Sequence, residues 1–318
     1  MYVRDLFDPD RSKVEARDVI DLGIPGLAVS FRYGLELFTR CWNDAISRDL
    51  PLVAFSPYHR MLDMLDAATV LVQEACEVGM RPLLRTMFDC WMSVSYINEA
   101  DQERRSAAFA VADLSRSLAF LESLDPSTER GKHALARMKK DRVASRMIED
   151  NPHLRDRSAD IRRVQSFLKL TPALQEAEEE WQTLKRKRRS TPRWHQLFGG
   201  PKTREDLAAH LGKPYLYEFL YRSWSGTSHG EDIHRLGAPL RKGTDFTMER
   251  VRDPSDLATS VRLALLCSSG SHQDMLRGYR PAESEENFPR WYNERMAPVF
   301  DSLNALMRPE VRKWLGIE

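Results

Sequence analysis

Residues Met80 to Asn98 are apolar almost all the way round a helix, with Leu83, Leu84, Met87, Phe88, Trp91, Met92, Val94 and Ile97 spread over every face. A helix of that kind has no side to turn toward water, so it belongs at the centre of a fold with other helices packed around it. The flanking sequence supplies candidates. Gly26 to Arg48 is amphipathic, and Pro57 to about Val78 sets Leu62, Leu65, Thr69 and Val72 on one face. Asp101 to Leu124 follows and is stopped by Asp125-Pro126-Ser127. Pro254 to Cys267 and Phe288 to Leu306 read as closing helices, and Gly230 to Arg252 as a loop. No stretch alternates with the two-residue period of a strand and no internal repeat is present. The sequence predicts an all-α, multi-helix bundle.

Between Glu129 and Arg189 the composition turns strongly charged, with apolar residues widely spaced. Helices are expected at 130–150, 155–169 and 172–189. In the last of these Glu176, Glu178, Glu179 and Glu180 come early and Lys185, Arg186, Lys187, Arg188 and Arg189 late, which complements the helix dipole. The region reads as a charged helical arm or insertion. The expected organisation is an N-terminal core over 1–128, an arm over 129–192 and a C-terminal core over 193–318, the first and last forming one composite domain.

With 318 residues, 42% hydrophobic and 30% charged, the chain can bury a substantial core without staples. A net charge of +1 supplies no global field toward nucleic acid or membrane, so any RNA contact has to come from a local basic patch. The run Lys185 to Arg189 is the candidate, although basic residues after a cluster of glutamates also suit a solvated helix end. The four cysteines, Cys41, Cys76, Cys90 and Cys267, stand apart in apolar surroundings and read as reduced core residues. The opening MYVRDLFDPDRSK lacks the apolar core of a signal peptide, and no run of eighteen apolar residues occurs. A cytoplasmic protein with no membrane span is expected.

Chemistry-bearing residues concentrate in Leu216 to His234, LYEFLYRSWSGTSHGEDIH. Pro214 is placed to open a helix at its first turn. If Tyr217 to His229 form one helix, Tyr217, Tyr221, Ser225 and His229 make a stripe at four-residue spacing. Arg222 and His229, seven apart, return to within about 20° of each other. An arginine, a hydroxyl and an imidazole then face one cleft, while Leu216, Phe219, Leu220 and Trp224 anchor the opposite side. Gly226 inside this helix costs about 1 kcal/mol relative to alanine, and Ser223, Ser225, Thr227 and Ser228 weaken it further. Small residues of this kind allow close approach of a helix, a second subunit or a phosphate.

The spacing Arg222-x6-His229 resembles the HEPN-type ribonucleases, although Arg146-His153, Arg188-His195 and Arg204-His210 satisfy a similar spacing in charged or loop-like segments. Tyr221-Arg222-x-x-Ser225-x-x-x-His229 also resembles the signature of a bacterial all-helical family of unknown function. An earlier helix resembles that family too: Leu83-Leu84-Arg85-Thr86-Met87-Phe88-Asp89, then Tyr96-Ile97 and Arg104-Arg105, with Asp89 where glutamate is more typical. The HEPN resemblance implies RNA cleavage with no metal and no cofactor. His229 would handle protons and Arg222 would stabilise charge on the phosphate, in a site composed from both subunits of a homodimer. Tyr221, Ser225, Arg85 and Asp89 would orient these groups or the substrate. The implied setting is bacterial stress or phage defence, with an activating or antitoxin partner.

Arg85 and Asp89 stand out without any resemblance, because they sit one turn apart on a helix otherwise suited to burial and buried charges need partners. Either they pair with each other or they face a cleft with Tyr221 and His229. Two other functional classes remain open. One is a non-enzymatic interaction or ligand-binding protein using the same cleft. The other is a metal-dependent hydrolase built on His229, Glu231, Asp232 and His234, which have donor types that metals accept but do not share a helix face. No G-x-S-x-G elbow, phosphate-binding P-loop or dinucleotide fingerprint is present.

Overall fold

In a computed structural model, residues 7–48, 51–138, 140–141, 146, 156–187, 191–222, 250 and 252–317 are described. All regular structure among them is helical, as the sequence predicts. Backbone contacts divide the chain into two compact units, Met1–Ala100 with Glu205–Glu318, and Asp101–Arg204.

The first unit is built on α1 (Pro9–Glu15), α2 (Arg17–Ser47), α3 (Phe55–Gln73) and α4 (Glu77–Glu99). The chain returns to this unit through α9 (Arg204–His210) and α10 (Pro214–Tyr217), and completes it with α11 (Leu257–Tyr279), α12 (Pro281–Trp291), α13 (Ala297–Leu306) and α14 (Pro309–Trp314). Helices α2, α3, α4 and α11 pack on one another as the core. Helix α4 buries Met80, Leu84, Met87, Phe88, Trp91, Met92, Val94 and Ile97, the central position its composition demands.

Helix α11 is buried still more thoroughly, and its sequence conceals this. Apolar periodicity ends at Cys267, yet the helix continues to Tyr279 with Ser268, Ser269, Ser271, His272 and Asp274 all buried. Local back-bonding satisfies part of this polarity: Ser268 Oγ donates to the Leu265 carbonyl at 3.1 Å and Ser271 Oγ to the Cys267 carbonyl at 2.8 Å. Cross-helix bonds satisfy more. His272 Nδ1 lies 2.7 Å from the Tyr58 hydroxyl on α3, and its Nε2 lies 3.1 Å from the Ser30 carbonyl on α2. The consistent arrangement is a neutral imidazole that accepts from Tyr58 and donates to Ser30. Ser30 and Ser268 hydroxyls meet at 2.8 Å beside it.

Close approach makes this contact. A Cβ on Gly34 would lie 2.5 Å from Leu62 Cδ2 and 2.8 Å from His272 Cε1. A Cβ on Gly270 would lie 2.2 Å from the Trp91 ring. The small residues on α2 that allow such packing also hide its start. The helix begins at Arg17 and runs through Pro25, ahead of the Gly26 start suggested by periodicity. At the other end of α4, Glu77 is buried and paired with Arg81 at 2.8 Å, while Ser260 of α11 lies 3.4 Å from the same carboxylate.

The cysteines are all free thiols; Cys41, Cys90 and Cys267 are buried and Cys76 is half-buried. Burial pushes the Cys41 and Cys90 thiols up to about 12, so these two are poor nucleophiles. Among the described residues no helix is long and apolar enough to cross a membrane.

The second unit comprises α5 (Gln102–Leu124), α6 (Glu129–Met138), α7 (Ser158–Phe167), α8 (Pro172–Lys187) and a 3-10 turn, Trp194–Gly199. The sequence boundaries at 128/129 and 192/193 fall inside it. Ala107, Ala108, Val111 and Ala112 of α5 form a narrow apolar face that clusters with Ala177 and Trp181 of α8, Leu168 and Leu197. The charged segment therefore shares a small core with α5.

Two outcomes follow from the α11 contacts. Burial drives the His272 pKa down to about 3, whereas in the unfolded chain it lies near 6.5. The unfolded state therefore binds the extra proton between these values. The stability that His272 confers is complete above about pH 6.5 and declines as pH falls toward 3, by up to about 1.4 kcal/mol per pH unit. Urea midpoints of the wild type should fall more steeply between pH 6.5 and 4 than those of His272→Gln, and parallel curves would refute this. Gly270→Ala should destabilise by about 1–3 kcal/mol through forced displacement of Trp91, measured by the same denaturation.

Candidate functional site

The polypeptide that carries the candidate site runs back along α4. Glu99 and Tyr96, near the C-terminal end of α4, contact His210: the Glu99 carboxylate is 2.8 Å from His210 Nε2, and the Tyr96 ring meets the imidazole edge-on at 5.5 Å. Further along, the Lys213 ammonium sits 4.6 Å from the centre of the Trp91 ring. Further still, the Arg85 guanidinium lies 3.9 Å from the centre of the Tyr221 ring. The segment from His210 to Tyr221 is thus antiparallel to α4.

Its helix differs from the expected one. Helix α10 ends at Tyr217, and Glu218–Arg222 form a π turn. A π turn closes its hydrogen bonds one residue further along than an α turn, a rare geometry that recurs at functional positions. Within it the Tyr217 and Tyr221 rings stack at 5.0 Å with an interplanar angle of 12°. The expected stripe therefore holds for its first two members, in π rather than α geometry at its end. Ser225, His229, Glu231, Asp232 and His234 lie outside the described residues.

Of the named site residues, Arg85 and Tyr221 are brought together, and the Tyr221 ring also stacks with Tyr217. Asp89 is half-buried one turn beyond Arg85, and its carbonyl accepts a bond from Ser93 Oγ at 2.8 Å. Lys185, Arg186 and Lys187 are exposed at the C-terminal end of α8 in the second unit, while Arg188 and Arg189 lie outside the described residues. Arg104 belongs to the second unit as well, where it pairs with Glu176 at 2.8 Å. Trp194 packs edge-on against Phe109 at 5.1 Å, and His195 is buried with Nδ1 donating to the Pro201 carbonyl at 2.8 Å. Both residues are committed to that unit's packing.

A pocket not legible from motifs lies where His210 meets α4 and α11. It has a volume of about 390 Å³ and is lined by Ser95, Asn98, Glu99, His210, Leu211, Lys213, Asp274 and Arg277. Buried Asp274 organises its floor. One carboxylate oxygen accepts from Trp91 Nε1 at 3.0 Å and from Ser95 Oγ, the other from Arg277 at 3.0 Å. Asn98 donates to the Asp274 carbonyl at 3.1 Å. Burial lowers the Lys213 pKa, and the Asp274 charge opposes that shift. The Arg204-His210 spacing was one signal available for this site; nothing in the sequence joined it to Asp274. Among the described residues no group of three or more His, Cys, Asp or Glu side chains converges as a metal site.

The sequence profile of a family of unknown function, DUF5677, matches residues 52–237. The chain belongs to DUF5677. The part of this DUF5677 protein that matches contains both stretches joined by the Arg85–Tyr221 contact, together with Glu99, His210 and Lys213 of the pocket. No curated protein and no solved structure matches the chain.

A half-buried guanidinium on an aromatic face contributes about 0.5–2 kcal/mol. In a double-mutant cycle, Arg85→Gln and Tyr221→Leu should therefore show a coupling of about 0.5–1 kcal/mol, with Tyr221→Phe retaining most of the stability. Strict additivity of the two substitutions in denaturation experiments would deny the contact.

Proposed function

We propose that this protein is a HEPN-like, metal-independent endoribonuclease in which Arg222 and His229 carry the chemistry. The observation that carries the reading is the Arg85 guanidinium on the Tyr221 ring. It joins the two separated motif stretches and leaves Arg222 as the next residue along the chain. The π turn that delivers Arg222 supports the same reading, since such turns recur where function requires an irregular backbone.

In this mechanism the 2′-hydroxyl of RNA attacks the adjacent phosphorus. His229 takes its proton, the 5′-oxygen leaves, and the equivalent histidine of a second copy protonates that oxygen. The products are a 2′,3′-cyclic phosphate and a free 5′-hydroxyl. Arg222 stabilises the charge that accumulates on the phosphate oxygens. Tyr221, Ser225, Arg85 and Asp89 orient these groups, and Lys185, Arg186, Lys187, Arg188 and Arg189 form a basic patch that binds RNA phosphates. The protein works as a homodimer in the bacterial cytoplasm, in stress or phage defence, under control of an activating or antitoxin partner.

Purified protein should cleave RNA in EDTA and leave 2′,3′-cyclic phosphate ends. His229→Ala should lower the rate roughly 100- to 10,000-fold, and Arg222→Ala roughly 100- to 1,000-fold. Cleavage abolished by EDTA would favour the metal-dependent alternative at His229, Glu231, Asp232 and His234. Well-folded protein that binds a ligand or partner, cleaves no RNA and is indifferent to both substitutions would favour the interaction-protein alternative.

A further inference from the structure

We propose that the pocket between α4, α11 and the His210–Lys213 segment holds a backbone phosphodiester of single-stranded RNA, with Lys213 and Arg277 as its cationic contacts. This rests on the RNA reading above and extends the site beyond Arg222 and His229.

The hydrogen-bonding capacity of the pocket decides the sign of its ligand. Both carboxylates are occupied: Asp274 accepts from Trp91, Ser95 and Arg277, and Glu99 is bonded to His210. The donors are in excess. Lys213 has three N–H bonds and makes one hydrogen bond among the described residues, to the Leu211 carbonyl at 3.3 Å. Arg277 has five N–H bonds, engages Asp274 with one nitrogen, and its side chain is 60% exposed. His210 Nε2 is bonded to Glu99 at the rim.

The surrounding field decides how much negative charge is welcome. The pocket sits at the C-terminal ends of α4 and α11, where each helix presents a partial negative charge. Together with Asp274 and Glu99 this disfavours a dianion such as a phosphate monoester. A singly charged phosphodiester is the oxyanion that brings the least negative charge into such surroundings while still meeting the free N–H groups of both cations. The geometry supplies the strand direction. Arg85 and Glu99 are fourteen residues apart on α4, about 21 Å along its axis, so a single strand of several nucleotides passing the Arg85–Tyr221 stack reaches the pocket.

The test uses a single-stranded RNA with 2′-O-methyl groups, which has no attacking hydroxyl and reports binding alone. Full-length protein is treated with a lysine-acylating reagent with and without this RNA, and modified positions are mapped by peptide mass spectrometry. The RNA should slow acylation of Lys213 at least fivefold and leave exposed Lys313 unchanged. Arg277→Gln, an exposed and structurally mild change, should weaken binding. It should also reduce the slope of log K against log salt by about 0.7, the signature of one lost phosphate contact. Unprotected Lys213, or an unchanged salt slope in Arg277→Gln, would overturn the proposal. The two readings separate cleanly. Cleavage of ordinary RNA with Lys213 unprotected leaves the ribonuclease and removes this pocket from it. Protection of Lys213 without cleavage leaves an RNA-binding pocket and removes the catalysis.

Discussion

The imidazole of His272 holds three helices in one hydrogen-bonded contact. Its ring nitrogens bond to Tyr58 of α3 and the Ser30 carbonyl of α2, and its own helix, α11, is almost wholly buried. Such a helix is tolerable only if each polar group it takes inside finds a partner, because an unsatisfied buried donor or acceptor costs about 1–3 kcal/mol. The bonds of Ser268, Ser271, His272 and Asp274 meet most of that demand, the buried Ser269 hydroxyl being without a partner among the described residues, and the cross-helix bonds of Ser268, His272 and Asp274 tie α2, α3 and α4 to α11. Asp274 extends the same logic outward. Its bonds to Trp91 and Ser95 seat α4, and its bond to Arg277 reaches the candidate pocket. The floor of that pocket is therefore a continuation of the core polar network.

Tight packing on glycine makes these bonds geometrically available. Trp91 lies so close over Gly270 that no other residue fits there without movement, and His272 approaches Gly34 in the same way. Trp91 has a second role on its other side, where the Lys213 ammonium rests on the ring. One buried indole thus connects the α4–α11 contact with the lysine of the pocket. On the same helix, Arg85 and Tyr221 form another cation–aromatic contact. The recurring device along α4 is a cation placed on a ring, which holds a charge near apolar surface without requiring a carboxylate beside it.

The helical class and the burial of α4 were readable because continuous apolar character has only one outcome in a water-soluble bundle. Of the arm helices, those expected at 155–169 and 172–189 correspond to α7 and α8, whereas of the one expected at 130–150 the helix Glu129–Met138 is described. Helix α11 was readable only as far as Cys267. Ser268, Ser269, Gly270, Ser271 and His272 look like a break in the pattern, and it takes the cross-helix bonds of Ser268 and His272 and the close approach of Trp91 to Gly270 to place the segment in the core. The π turn at Glu218–Arg222 was hidden because a periodicity argument assumes α geometry throughout. The link between Arg85 and Tyr221 was legible as two motif fragments and as one of two alternatives for Arg85, a cleft shared with Tyr221, but not as a guanidinium on a ring. His210 carried a visible arginine–histidine spacing; its neighbours Glu99 and Asp274 come from two other stretches of chain that only folding brings to it and to Lys213.

The contact between Glu99 and His210 also sets a condition on how the molecule is assembled. The chain leaves the first unit directly after Glu99 and comes back to the same spot by His210, having built all of the second unit in between. Closing a flexible loop of about a hundred residues costs only about 2–3 kcal/mol more entropy than closing one of about five, because the penalty grows with the logarithm of length. If the intervening segment folds first into its own small core, its conformational freedom is already lost when the ends meet. A change of length inside that segment then adds little to the cost of bringing Glu99 and His210 together.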